Sequence, residues 1–185
     1  MTLIEDSTGL LYMKVGTHAQ EDLAAIIERK RQEIDEAGFS MWGYGGNTCH
    51  PRTMVQPFVS DYSTSGKPIM LLMQPMTSNH FAEPIRAEEY SADGITWEPV
   101  PEAINVLGSR YALCIRTLQE VEEKLALGNT RVAVGRSKGK NGQDYVRGRV
   151  DKACLEYSES LGGSGELVDI RLAAEMVEPY AVFLR

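Results

Sequence analysis

The period of the apolar positions changes several times along the chain, and each change marks an element. Residues 9–15 form a short apolar run closed by Gly16, the pattern of a buried strand. A helical pattern follows over about 18–37: Leu23, Ile26, Ile27, Ile34 and Ala37 recur at three- and four-residue steps, and Gly38 supplies a stop. Thr17 with Gln20 reads as its capping box, with Glu21 and Asp22 in the first turn. Lys30 lies on the apolar stripe between Ile27 and Ile34. Its long stem is expected to snorkel, the alternative being that Lys30 or Arg31 reaches the following loop from beneath.

Residues 53–59 read as an edge strand interrupted by Pro57, and 69–73 (IMLLM) as the central strand, followed by a polar loop at 74–80. An Asp93-Gly94 turn predicts a hairpin over 90–97. Residues 110–118 alternate as a strand with one apolar face, 119–127 with their Glu-Lys pairs read as a short helix, 131–134 as a strand and 150–157 as a helix. Two more strands are expected at 167–172 and 180–184. Strand and helix do not alternate strictly, which excludes a doubly wound parallel fold. The expected class is α+β: a curved, mainly antiparallel sheet or partial barrel packed against one long N-terminal helix and two shorter helices. At 185 residues the chain suits one domain burying about 70% of its unfolded surface.

No apolar run approaches the roughly 20 residues of a membrane-spanning helix, and the first residues lack a basic, cleavable leader pattern, so a cytoplasmic protein without membrane partners is expected. Cys49, Cys114 and Cys154 are too far apart for a zinc pattern and odd in number, as free thiols are. The pattern calls for no metal and no cofactor, and nothing in it fixes an oligomeric state. Charge adds an asymmetry: residues 131–152 hold seven Lys/Arg and two Asp, a local +5 in a chain of −7, leaving −12 elsewhere. A Gly-rich part of this segment, about 135–149, is expected to be a mobile loop. It superficially resembles a phosphate loop but has one residue too few between its glycines, and Asn141 stands where a hydroxyl is needed, so an NTPase is excluded.

The candidate chemistry concentrates between the long helix and the next strand, where Trp42, Tyr44, Gly45, Gly46, Asn47, Cys49, His50 and Arg52 follow one another. Large aromatics supply flat faces, glycines let backbone N–H groups approach, and the polar residues read an edge; this kit suits a nucleotide or nucleic-acid base. Ser78 and His80 in the 74–80 loop are expected to meet it at one pocket. Lys138, Lys140, Arg147 and Arg149 are the candidate phosphate ligands. Against this stands a plainer reading in which Trp42 and Tyr44 cap the core and the basic segment is a solvated loop. Two further classes stay open. An acidic body suits a protein partner, as in an inhibitor or decoy of the kind mobile elements encode, which blocks a nucleic-acid-binding protein. Cys49 with His80 or His18 as base suits a Cys/His-dependent hydrolase or transferase.

Overall fold

The computed structural model describes residues 3–45, 50–67, 69–80, 82–147, 150–163 and 165–185, with the backbone alone for 78–80. The elements run β1 (Thr8–His18), α1 (Leu23–Ala37), β2 (Ser40–Gly43), α2 (Arg52–Thr64), β3 (Met70–His80), β4 (Glu89–Ser91), β5 (Glu98–Pro99), β6 (Tyr111–Ile115), β7 (Gln119–Ala126), β8 (Thr130–Val132), α3 (Gly142–Tyr145), β9 (Lys152–Tyr157) and β10 (Leu167–Leu184). They build an α+β fold on one large mixed sheet, ordered β2-β6-β10-β3-β1-β9-β8. Its two ends do not meet, so it is not a barrel. β1 and β3 are parallel, and the other named pairs are antiparallel.

β10 is the spine. It pairs β7 along Leu167–Ala173, β3 along Leu172–Glu175, β6 from Met176 onwards and β4 at Phe183 and Leu184. A register break between Met176 and Ala181, with Tyr180 at φ 68°, lets the strand turn from one set of neighbours to the next. Because layers cover both faces of the sheet, β6 is buried at every position. Tyr111, Leu113 and Ile115 join one core cluster while Ala112 and Cys114 join another, so the single apolar face expected here is two.

Several sequence expectations change. β1 continues through His18, whose N–H and C=O both pair with Glu21 at 2.9 Å across a turn at Ala19 and Gln20. The capping box at Thr17 is therefore not used; Asp22 caps α1, its Oδ1 accepting from Ala25 N–H at 2.8 Å, and α1 closes at Gly38 (φ 84°) as expected. At 15 residues α1 is only slightly longer than α2 at 13, so one dominant helix is not what is seen. The region expected as a Pro-broken strand is α2. Val55, Phe58 and Val59 bury at helical spacing, which outweighs the missing Pro57 N–H. The expected 74–80 loop is the second half of β3, held by its parallel ladder with β1.

Residues 119–126 and 152–157 are strands, not helices. In β7, Leu125 is buried and Val121 packs on the core at strand spacing, and β10 supplies the ladder; weak Glu-Lys helix support is overridden by tertiary pairing. The hairpin expected near Asp93-Gly94 is present as β4 and β5. Among the described residues no helix is long and apolar enough to cross a membrane.

Candidate functional site

A cavity of about 130 Å3 lies where α1 passes from the end of β1 to β2. β1 and β2 are not sheet neighbours, so the helix spans a gap between them that side chains fill only partly. Met13, Val15, Leu23, Ile26 and Trp42 make the apolar wall. Lys14, Asp151 and Lys152 form one polar side, brought together by the β1·β9 ladder: Met13 faces Lys152, and Lys14 N–H donates to Asp151 O at 2.8 Å. Arg29, Lys30 and Asn105 form another, and His18 contributes an imidazole whose Nε2 lies 2.9 Å from Leu107 O.

The cations differ in what already holds them. Lys30 does not snorkel: it is 3% exposed, and its ammonium donates to Glu33 Oε2 (2.9 Å), Met41 O (2.7 Å) and Asn105 O (3.0 Å), one acceptor for each of its N–H bonds. It thus reaches the residue before Trp42 from beneath. Burial lowers its pKa to about 8 against the opposing pull of Glu33. Arg29 bridges Glu21 (2.6 Å) and Glu33 (3.0 Å) and donates to Asn105 O, while Ser40 donates to Glu33. Lys14 Nζ donates once, to Val146 O at 3.0 Å. Lys152 is 7% exposed and pairs with Asp151 Oδ1 at 3.4 Å, with its ammonium 6.0 Å from the centre of the Tyr44 ring. That carboxylate oxygen is buried without a hydrogen-bond partner among the described residues, so the contact is one of charge and not a formed hydrogen bond. Beside it the Tyr12 hydroxyl donates to Gln74, its pKa raised by burial first and then by the charge of Asp151.

Trp42 belongs to strand β2, not to a loop, and is both core and cavity wall: it is 4% exposed and its indole N–H lies 3.3 Å from Met13 Sδ. Tyr44 is buried edge-on against Tyr111, ring centres 5.9 Å apart. At Gly45 a Cβ would come within 2.7 Å of Tyr111, so close packing on β6 accounts for that glycine. His50 is buried in a separate cluster, stacked on Tyr145 (5.6 Å, 9°), with Tyr145 OH 3.1 Å from Nε2 and Cys154 N–H donating to Nδ1 at 3.5 Å. Tyr111 OH donates to His50 O. This arrangement suits the neutral ring with its proton on Nε2, and burial lowers its pKa. Arg52 opens α2 with its guanidinium donating to Ala181 O (2.9 Å) and Ala92 O and lying 4.8 Å from the Phe183 ring centre.

Ser78 and His80 lie in β3, where His80 stands opposite His18 in register. Gly46, Asn47, Cys49 and Arg149 lie outside the described residues. Lys138, Lys140 and Arg147 are exposed and do not line the cavity, Arg147 lying 3.8 Å from Asp144. Of the named site candidates among the described residues, the cavity wall takes Trp42, and it adds Lys14, Asn105, Asp151 and Lys152. The signals for those were a lysine inside an apolar strand and the C-terminal end of the basic segment. Cys114 and Cys154 are buried thiols, burial pushing Cys114 up to about 12. No group of three His, Cys, Asp or Glu that could hold a metal occurs among the described residues. Comparison of the chain with protein-family models, with curated proteins and with solved structures gives no match.

Proposed function

We propose that this protein is a binding domain for a small planar ligand, a nucleotide or nucleic-acid base among them, with the cavity beneath α1 as its site. The observation that carries this reading is the cavity itself: an apolar slot walled by Trp42, with charged groups on its polar sides. Such a combination of apolar enclosure and a few placed polar groups is how small-molecule sites are built. An aromatic wall favours a flat ring, and Lys14, Lys152 and Asp151 offer donors and an acceptor to its substituents. The exposed cations Lys138, Lys140 and Arg147 remain candidates for phosphates that project outward.

The test uses the tryptophan in the wall. The chain has two tryptophans, and Trp97 lies apart under Arg185, 4.1 Å from the guanidinium to the ring centre. Replacing it with Phe leaves Trp42 as the sole reporter. Titration with free bases and nucleoside monophosphates is expected to give a saturable change in Trp42 fluorescence; no saturable change with any planar ligand would overturn the reading.

A second reading, an acidic surface presented to a basic protein partner, is supported by β7. Glu120 and Glu122 project from it with 71% and 89% of their side chains exposed. Arg31 and Arg171 offset part of that charge at 3.5 Å each, which weakens the case.

A further inference from the structure

Resting on the cavity reading, we infer that the occupant is a single planar ring bearing one negative charge, its ring against Trp42 and its charged group on Lys152. Size sets the first limit. Cavities of about 150 Å3 hold one benzene-sized ring, and this cavity, which is open on one side, offers about 130 Å3. A whole nucleotide would have to leave its sugar and phosphate outside.

Charge sets the second. Arg29 and Lys30 are matched by Glu21 and Glu33, so that side of the cavity is already neutral. On the other side Asp151 is the one acid set against Lys14 and Lys152 among the described lining residues, which leaves one positive charge over, the Lys14 ammonium being held at Val146 O. Hydrogen bonding sets the third. Lys152 is nine-tenths buried yet makes no hydrogen bond to a described residue, whereas a buried ammonium ordinarily has its N–H groups accepted. A carboxylate or a singly ionised phosphate monoester at this point would accept from Lys152 and balance the charge. The Tyr44 ring centre lies 6.0 Å from the ammonium, at the outer limit of a cation–π contact.

The full-length Trp97→Phe protein is titrated with benzoate, with its neutral isostere benzamide, and with phenyl phosphate, by calorimetry and by Trp42 fluorescence. Benzoate is expected to bind at least tenfold more tightly than benzamide. Lys152→Met should remove that preference and Lys152→Arg should keep it. Asp151→Asn, which removes the competing anion, should tighten benzoate several-fold without affecting benzamide. Phenyl phosphate measured on either side of its second ionisation separates the two sources of charge: tighter binding than benzoate assigns a phosphate monoester, and weaker binding a carboxylate. Equal affinity for benzoate and benzamide, or a preference that survives Lys152→Met, overturns the inference while leaving a ring-binding cavity. Failure of all three probes with undisturbed Trp42 emission overturns the cavity reading as well.

Discussion

The two polar sides of the cavity hold buried lysines in opposite conditions. Under α1, Lys30 has an acceptor for every N–H, and its partner Glu33 accepts in turn from Arg29, Ser40 and the Asn105 N–H at 2.9 Å. At the β1·β9 edge, Lys152 and Asp151 touch as charges, and each keeps hydrogen-bonding capacity unspent. The comparison teaches that burial alone does not assign a charged group. A closed network fixes the segments it joins, here α1, β2 and the 105 backbone, whereas an open pair at a cavity wall is available to something that enters.

The largest effect should come from opening the closed network. Glu33→Ala leaves the buried Lys30 ammonium without its counter-charge and Arg29 with Glu21 alone, and is expected to cost about 3 to 5 kcal/mol in urea unfolding. Trp42→Ala empties the shared wall and should cost a similar amount, about 3 to 5 kcal/mol; Trp42→Phe is therefore the better variant for binding work. Lys30→Met against Lys152→Met sharpens the comparison directly. The first takes the Lys30 donor from the Met41 carbonyl and one of two side-chain donors from Asn105 O and from Glu33 Oε2, and should cost about 1 to 3 kcal/mol. The second loses no hydrogen bond; made together with Asp151→Asn, so that no buried charge is left alone, it should fall within about 1 kcal/mol of the parent. Equal losses would erase the distinction.

His50 gives a smaller, pH-dependent test. Its folded-state pKa lies below the unfolded value of about 6.5. Below that value the unfolded chain binds a proton that the folded chain resists, so its contribution is complete above about pH 6.5 and declines as pH falls towards the folded pKa. Melting temperatures across this range should show the decline in the parent and lose it in His50→Gln. Smallest of all, Lys138→Ala with Lys140→Ala should leave stability within about 0.5 kcal/mol. If these exposed cations hold an outward phosphate, the double variant weakens mononucleotide binding and flattens its salt dependence; an unchanged titration at two salt concentrations places the charge recognition inside the cavity alone.

The fold class, the central strand at 69–73, the Gly38 stop and the Asp93-Gly94 hairpin were legible because each rests on local chemistry. β7 and β9 were not. Glu-Lys spacing in 119–127 is a helix signal worth only tenths of a kcal/mol, and the pairing that overrides it comes from β10, far along the chain. Lys30 was visible as a cation on an apolar stripe, but its acceptors come from Met41 and Asn105, which no periodicity connects. Lys152 was counted as part of a basic segment. That it faces a cavity follows from its place opposite Met13, and registers between distant strands are not written in either strand alone.

The reach of β10 has a bearing on synthesis. β3, β4, β6 and β7 are all translated before the strand that joins them. While residues 167–184 are still within the ribosome, β2 and β6 have no tie to β3, and β7 has no strand neighbour among the named pairs. Apolar edges of the nascent chain therefore stay open until the spine emerges, and a holding chaperone would find its longest opportunity on this protein in that interval.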